Sequence, residues 1–166
     1  MDVYDRVRKF FVPDFNRRFF TRLIIVSACA YLVFGHVLRP MRIRGHSMEP
    51  TYRDGGFNFC FLWRYRFKQP EPGDVVIVKR IGLEMAFLKR VVATEGQVVE
   101  FRRGQLYIDG AVVNEPYASK PCDWEWPPKE VRPGNIYVVG DNRSVPIETH
   151  QFGQTPMANI AGGPLW

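Results

Sequence analysis

The residues that raise a chemical question lie in RGHSMEPTYRDG, Arg44 to Gly55, where Ser47 precedes a Met-Glu-Pro-Thr turn. A serine hydroxyl attacks a carbonyl efficiently only when a neighbouring group removes its proton. His46 is poorly placed for that role, because adjacent side chains of an extended segment point to opposite faces. His36 lies in an apolar run, and no acidic residue near His150 stands out to orient its imidazole. The histidines therefore leave the base unassigned.

Lys89 is a stronger candidate for the base. If MAFLKRVV forms a strand, Lys89 shares a face with Phe87 and Val91, and that apolar face would desolvate the amine. Desolvation disfavours the charged form, and lowering a lysine pKa from about 10.4 to about 7 corresponds to about 4–5 kcal/mol. Lys79 in IVKR has a similar local sequence, so the strand pattern alone leaves both lysines open.

The elements that must position these groups are short strands and turns. Beyond residue 40, β-branched runs in PGDVVIVKR, MAFLKRVVATEGQVVEF and NIYVVGDNR predict strands. The dipeptides Arg103-Gly104 and Asp109-Gly110 are typical of hairpin turns. EPYASKPCDWEWPPKEVRPG is predicted to be a long loop, and residues 41–166 have no sustained helical periodicity. We therefore expect a compact, mainly β domain.

An apolar segment, FFTRLIIVSACAYLVFGHVL at 19–38, precedes this domain. A helix of twenty residues spans about 30 Å, the thickness of the hydrocarbon core of a bilayer. No small-x-small cleavage site follows the segment, which favours an uncleaved anchor over a signal peptide. The predicted organisation is a cytoplasmic tail at 1–18, either an interfacial helix or loose, a transmembrane anchor at 19–38, and an extracytoplasmic β-rich domain at 39–166.

Charge flanking the apolar segment predicts its orientation. The first 22 residues contain six Lys or Arg against three Asp, and an excess of positive residues before a span keeps that end cytoplasmic. Arg39, Arg42 and Arg44 on the other side weaken this bias. The net charge of +6 comes with no zinc-finger, RRM or helix-turn-helix pattern, so no nucleic-acid partner is expected.

The three cysteines do not indicate a metal centre or a disulfide scaffold. Cys29, Cys60 and Cys122 form no CxxC pair and are too few for such a scaffold. A Cys60–Cys122 bridge stays open, because sequence alone cannot establish its geometry. No metal ligands and no cofactor are predicted.

The ordered motifs GHSMEPT, GDVVIVK, FLKRVVATEGQ, GQLYIDGAVVNEPY and VVGDNR occupy residues 41 to about 153. With the apolar segment in front, the chain resembles the membrane-anchored type I signal peptidases, which include bacterial leader peptidases and mitochondrial inner-membrane peptidases. The resemblance implies a serine endopeptidase that removes amino-terminal signal peptides from exported preproteins after small residues. It also implies signal peptides bound as extended strands, a bilayer, and a second peptidase subunit as a further potential partner. A bacterial inner membrane is expected, with an organelle inner membrane as the alternative.

The resemblance also implies roles for individual residues. Ser47 matches the nucleophile of the Ser-Met-x-Pro-Thr motif, and Lys89 matches the general base of the Lys-Arg-Val-Val motif. Lys79 matches the non-catalytic lysine of the preceding strand. The backbone N–H of Ser47 is the expected oxyanion donor, whereas Gly45 lacks the hydroxyl that some relatives have at that position. Asp141 is expected to be structural.

The block GDNRSVPIETHQFG departs from the Ser-x-Asp-Ser-Arg pattern of the resembled family. Pro146 lacks the hydroxyl that orients the lysine in relatives, for which Ser144 or Thr149 could substitute. His150 in place of arginine weakens the expected ion pair with Glu148. These departures motivate an alternative, a weakened or inactive partner subunit of a membrane processing complex. A self-cleaving repressor-type protease is a further rival, but it would need a DNA-binding head where this chain has an apolar span.

Two aromatic-rich segments, FNFCFLWRYRF at 57–67 and DWEWPP at 123–128, have two open interpretations. Trp and Tyr favour the membrane–water interface, so both segments could touch the bilayer surface near the site. Half-buried packing within the domain is the alternative.

Overall fold

The computed structural model of the chain describes residues 15–79, 86–118, 122–147 and 153–166. The chain divides into two compact units, Met1–Leu38 and Arg39–Trp166, and each is described by itself.

The described part of the first unit, from residue 15 on, contains one helix, α1, at Arg17–His36. Asn16 caps it, since its side-chain oxygen accepts a hydrogen bond from the Phe19 N–H at 2.9 Å. The mean hydropathy of its most apolar 18-residue window is 1.6, so by length and composition α1 can cross a membrane. The predicted interfacial helix of the tail falls largely in 1–14, outside the described residues.

The second unit is mainly β, as predicted. Its described strands are β1 Leu38–Arg42, which begins at the last residue of the first unit, β2 Phe57–Phe61, β3 Val75–Lys79, β4 Ala86–Ala93, β5 Val98–Arg102, β6 Gln105–Ile108, β7 Ala111–Val112, β8 Trp126–Glu130, β9 Asn135–Val139, β10 Gln154–Pro156 and β11 Ile160–Pro164. They form a seven-stranded sheet in the order β1-β2-β11-β3-β4-β9-β10 and a four-stranded sheet in the order β7-β6-β5-β8.

The antiparallel pair β3 and β4 is buried on both faces of the larger sheet. One face packs into a cluster of Met48, Cys60, Val75, Ile77 and Leu88. The other face packs into a cluster of Val76, Val78, Val91, Ile136 and Val138. Burial on both faces explains why VVIV is a continuous apolar run and not an alternating one.

Both predicted hairpin turns are confirmed. Arg103-Gly104 joins β5 to β6, and Asp109-Gly110 joins β6 to β7. The φ angles are positive at all four residues, 49° and 76° in the first turn and 53° and 80° in the second. Two consecutive positive φ angles are the signature of the type I′ turn, whose twist matches that of the flanking strands.

Alanine substitutions at Gly104 and Gly110 separate two effects on stability, the backbone strain of a positive φ and the steric crowding of an added Cβ. Gly104→Ala would place a Cβ against the Cys122 carbonyl, whereas a Cβ on Gly110 meets open space. We expect Gly110→Ala to lower the free energy of unfolding by about 1 kcal/mol, because alanine disfavours positive φ. Gly104→Ala should lower it by about 1–3 kcal/mol more, because backbone must also move. Urea unfolding of both variants measures the two losses of stability. Equal losses would contradict the close packing of Gly104 against the Cys122 carbonyl.

The predicted long loop at 115–134 is wrong in part, since it contains β8. Among the described strands, β8 lies at the edge of the four-stranded sheet and pairs with β5. The register shifts between Val99 and Phe101, opposite Pro127 and Pro128. Proline lacks an N–H, which an edge strand with a bulge tolerates. Pro127 and Pro128, which are typical of turns, therefore led the sequence analysis to predict a loop where β8 forms.

The cysteines are free thiols, so the structure contains no Cys60–Cys122 bridge. Cys60 packs with Met48 in one core cluster, whereas Cys122 packs against the cluster that contains Trp124. Burial raises the pKa of both thiols.

The two aromatic-rich segments differ in their exposure. In 57–67, Phe57 and Trp63 are exposed and Phe67 is 90% exposed. In 123–128, Trp124 is buried and its indole N–H donates to the Val145 carbonyl at 2.8 Å. The packing interpretation therefore holds for Trp124, while the first segment presents aromatic rings to the surroundings.

Candidate active site

Ser47 lies half-buried on the loop between β1 and β2. The Ile43 N–H donates to the Gly56 carbonyl at 2.8 Å and closes the base of this loop. The Tyr52 N–H donates to the Met48 carbonyl at 2.9 Å, and the Met48 side chain is buried in the core. The loop carrying Ser47 is thus tied down on both sides of the serine.

Gly45 and His46, the residues before Ser47, have structural roles of their own. Gly45 has φ of 92° and its N–H donates to Asp54 Oδ1 at 2.7 Å. A serine there would be strained, so this backbone conformation does not suit the hydroxyl that some relatives of the resembled family supply. His46 Nδ1 lies 2.8 Å from Glu49 Oε1, which engages the imidazole with a carboxylate of the same turn.

The structure distinguishes the two lysines that the strand pattern left open. Lys79 is exposed at the end of β3, whereas Lys89 is 2% exposed in the middle of β4, opposite Val76. Desolvation by burial lowers the pKa of Lys89 from 10.5 to about 8, and the nearby negative charge of Asp141 opposes this shift. The prediction that an apolar strand environment lowers the pKa of this lysine is confirmed.

Asp141 joins the nucleophile loop to β4. Arg90 donates to its two carboxylate oxygens, Nε to Oδ1 at 2.8 Å and Nη2 to Oδ2 at 2.6 Å. The Thr51 hydroxyl, four residues after Ser47, donates to Oδ2 at 2.5 Å. Because Asp141 is fully buried and bonded to both segments, its geometry fits the structural role expected for it.

Asn142 contacts the backbone of the nucleophile loop directly. Its N–H donates to the Ser47 carbonyl at 3.0 Å, and its Nδ2 donates to the His46 carbonyl at 2.9 Å. Ser144 was one of two residues, with Thr149, that could substitute for the hydroxyl that orients the lysine. The Ser144 hydroxyl donates to Asn142 Oδ1 at 2.6 Å. Sequence reasoning missed Asn142, although the polar Gly-Asp-Asn turn after β9 was a signal for it.

A second buried ion pair supports the same turn. Arg143 is 2% exposed and donates to both carboxylate oxygens of Glu115, at 2.7 and 2.5 Å. Its Nε also donates to the Gly140 carbonyl at 2.9 Å. The Tyr117 hydroxyl donates to Glu115 at 2.8 Å, and the Tyr117 ring lies 4.0 Å from the Arg90 guanidinium carbon. Sequence reasoning quoted both motifs, NEPY and GDNR, but gave Glu115 and Arg143 no role.

A small cleft brings Ser47 together with the segment that leads into Lys89. Its cavity has a volume of about 30 Å³ and is lined by Met41–Gly45, Ser47 and Met48 together with Ala86–Leu88. Among the described residues, no hydrogen bond joins the Ser47 hydroxyl to the Lys89 amine. Catalytic hydrogen bonds often tighten only when substrate binds. The arrangement therefore provides a half-buried hydroxyl that lines a cleft and a buried amine on a strand that contributes to the same cleft.

The altered block after Asn142 is only partly described. Pro146 is exposed. Glu148, Thr149 and His150 lie outside the described residues, so their predicted effects stay predictions.

Comparisons with known proteins agree with the family resemblance. The family model described as "Signal peptidase, peptidase S26" matches residues 16–164. The "Probable signal peptidase I-1" of Synechocystis sp. is 33% identical over 152 residues, which cover 87% of this chain and 78% of that protein. The "Thylakoidal processing peptidase 1, chloroplastic" of Arabidopsis thaliana is 36% identical over 134 residues, which cover 74% of this chain but only 39% of that protein.

A solved structure supports the fold. A signal peptidase I from Enterococcus faecalis V583 superposes with a TM-score of 0.50 at 23% identity, over 58% of this chain and 97% of that chain. At this identity the similarity concerns the fold alone. Because the family model spans nearly the whole chain and the Synechocystis protein matches most of it, this chain belongs to the signal peptidase family, peptidase S26.

Proposed function

We propose that this chain is a signal peptidase I-type serine endopeptidase in which Ser47 is the nucleophile and Lys89 is the general base. The observation that carries the proposal is the burial of Lys89 in β4 directly after Ala86–Leu88, which line the same small cavity as Ser47. A lysine whose pKa lies near 8 has a substantial neutral fraction at physiological pH. A neutral amine and a serine hydroxyl form a known variant of the catalytic triad.

The proposed reaction has two halves. The neutral amine of Lys89 takes the Ser47 proton while the hydroxyl oxygen attacks the scissile carbonyl carbon. The ammonium then returns this proton to the leaving amine, which leaves an acyl-enzyme on Ser47. Water attacks the ester carbonyl while Lys89 takes a proton from it. The Lys89 ammonium then gives this proton to the departing Ser47 oxygen, which breaks the ester bond, releases the carboxyl product and restores the hydroxyl. The backbone N–H of Ser47 stabilises the oxyanion in both halves.

The proposed substrate is the cleavage region of a preprotein bound as an extended strand. In the described part of the chain, β1 is the outermost strand of its sheet, and β9 pairs with β4 only from Arg90 onward. An extended peptide can add to an edge strand such as β1 through its backbone. The small cavity beside Ser47 favours small side chains next to the scissile bond.

The proposed location is a membrane, with α1 as the anchor. We keep a cytoplasmic tail at 1–18, an anchor at 19–38 and a catalytic domain at 39–166 on the trans side, in a bacterial inner membrane or, alternatively, an organelle inner membrane. The length and apolar composition of α1 support the anchor. The exposed rings of Phe57, Trp63 and Phe67 would favour contact between the catalytic domain and the bilayer surface.

Cleavage of a preprotein by the purified full chain in neutral detergent tests the nucleophile. The substrate carries an Ala-x-Ala site, and its amino-terminal product is identified by mass spectrometry. We expect Ser47→Ala to lower the cleavage rate by at least about 10⁴-fold, because the acyl-enzyme cannot form. Thermal unfolding of both proteins controls for folding. Cleavage that survives in Ser47→Ala contradicts the nucleophile, and a folded wild-type chain without any cleavage favours the inactive-subunit alternative.

The pH dependence of the reaction tests the base. Because only the neutral amine accepts a proton, kcat/KM should rise with pH and level off above a midpoint of about 8, the pKa of buried Lys89. An unperturbed histidine would instead give a midpoint of about 6.5. Initial cleavage rates of one peptide between pH 5.5 and 10 distinguish a lysine base from a histidine base. A plateau reached by pH 7 would count against Lys89.

A further inference from the structure

We infer that the cleft selects preproteins with acidic residues at the outward-facing positions of the bound segment, through a basic rim formed by Arg42 and Arg44. This inference rests on the proposed function. Both arginines line the cavity that contains Ser47. Met41 is partly buried and Ile43 is 7% exposed, whereas the two arginines between and after them are exposed. Side chains therefore alternate along this segment: Met41 and Ile43 form an apolar floor, and Arg42 and Arg44 form a positively charged rim.

The charges of this rim are not compensated within the described residues. Neither Arg42 nor Arg44 makes an ion pair or a side-chain hydrogen bond there. The two carboxylates of the same loop are already engaged, because Asp54 accepts the Gly45 N–H and Glu49 lies against His46. The described residues that line the cavity include no Asp or Glu. A carboxylate entering the cleft therefore meets two available guanidinium groups.

A third cation lies next to the residues of the cleft. Lys79 pairs with Ala86, which also lines the cavity. Along β3, Lys79 shares a face with Val75 and Ile77, which pack with Met48 just after Ser47. Lys79 is exposed; burial raises the pKa of Cys60, and the charges of Arg39 and, to a smaller extent, Lys79 oppose this shift. Lys79 thus adds positive charge next to Ala86, one of the residues that line the cavity.

The geometry of an extended substrate links this charge to specificity. Side chains of a strand alternate, so small residues can enter the apolar floor while the residues between them point to the rim. A guanidinium can donate two parallel hydrogen bonds to a carboxylate, and it repels a lysine at the same position. Because the rim is solvent-exposed, we expect a preference of about five- to tenfold for glutamate over lysine at low salt, reduced at high salt.

Peptide binding to the Ser47→Ala protein in neutral detergent tests this without depending on catalysis. Three labelled peptides share one Ala-x-Ala sequence and carry Glu, Gln or Lys at the intervening position and the next outward one. Fluorescence anisotropy should give a Kd about five- to tenfold lower for the Glu peptide than for the Lys peptide. Adding Arg42→Gln and Arg44→Gln should reduce this ratio to within about twofold. Adding Arg66→Gln and Arg132→Gln removes the same charge from exposed residues outside the cavity lining and should keep the ratio.

Several outcomes would overturn the inference. The inference fails if the Glu and Lys peptides bind with equal affinity. It also fails if the preference survives in the Arg42/Arg44 double variant, or if no peptide binds. A double variant that loses affinity for phosphatidylglycerol vesicles while it keeps the peptide preference would assign the arginines to anionic lipid instead. A Glu preference in binding, together with an intact chain that cleaves none of the peptides, would uphold charge selection and refute the proposed peptidase activity.

Discussion

Replacing Lys89 by methionine is expected to lower the cleavage rate by at least about 10³-fold and to raise the stability of the protein at pH 7. The rate falls because no other described group of the cleft takes the place of the base. Stability rises because the buried amine carries a desolvation penalty that an apolar side chain of similar length lacks. A loss of activity combined with a gain of stability separates a catalytic lysine from a structural one.

The pH dependence of that gain follows from the pKa of Lys89. The shift from 10.5 to about 8 means that, between these values, the unfolded chain binds a proton that the folded chain has lost. The stability of the wild type therefore rises with pH across this window. Below about pH 8 the full penalty applies, so Lys89→Met should raise the free energy of unfolding by up to about 3 kcal/mol at pH 7. Above pH 10.5 the gain should vanish.

Urea unfolding at pH 7 and pH 10.5, together with preprotein cleavage, measures both effects. Lys129→Met is the matched control, because Lys129 is exposed on β8 and lies outside the cleft. It should change neither quantity appreciably. A destabilised Lys89→Met protein would contradict the expectation that desolvation of the amine outweighs its favourable contacts in the folded state.

Replacing Glu115 by glutamine is expected to lower the free energy of unfolding by about 3–5 kcal/mol, the usual effect of breaking a buried ion pair. Glutamine keeps the size of the side chain but leaves the charge of buried Arg143 uncompensated. The Tyr117 hydroxyl also loses a charged acceptor. Since Arg143 holds the Gly140 carbonyl, the turn that contacts Ser47 should loosen as well.

Urea unfolding of Glu115→Gln, with two comparison proteins, checks the size of this effect. Arg102→Gln breaks the ion pair with Glu100 on the exposed side of β5 and should change stability far less, because water screens that pair. The double variant Glu115→Gln/Arg143→Met removes both charges and should recover part of the loss. A loss below about 1 kcal/mol for Glu115→Gln would show that the pair adds little to stability.

Local patterns were sufficient for much of the fold. The strands at VVIV and AFLKRVVA and the type I′ turns at Arg103-Gly104 and Asp109-Gly110 follow from residues that are neighbours in the chain. Side-chain alternation and positive φ are local properties, so the sequence records them directly. The prediction missed β8, where two prolines obscured a strand at a sheet edge, and it also missed β1, β2, β10 and β11.

Local sequence patterns predicted only part of the candidate site. The order of the motifs pointed to Ser47 and, through the family resemblance, to Lys89 over Lys79. The strand pattern of the residues themselves did not separate the two lysines, because their local sequences are similar. Tertiary structure decides their difference, because the strands and clusters that pack around β4 bury Lys89 while Lys79 stays exposed at a strand end.

The contacts that hold the site together could not be predicted from local sequence either, because they join residues that are far apart in the chain. Arg143 meets Glu115 across 28 positions, and Asn142 meets the His46 carbonyl across 96. By itself the sequence determined which residues can do chemistry and which segments are strands, because these depend on residue type and near neighbours. Desolvation and buried ion pairing depend on what the folded chain brings from far away, and only the tertiary structure decided them.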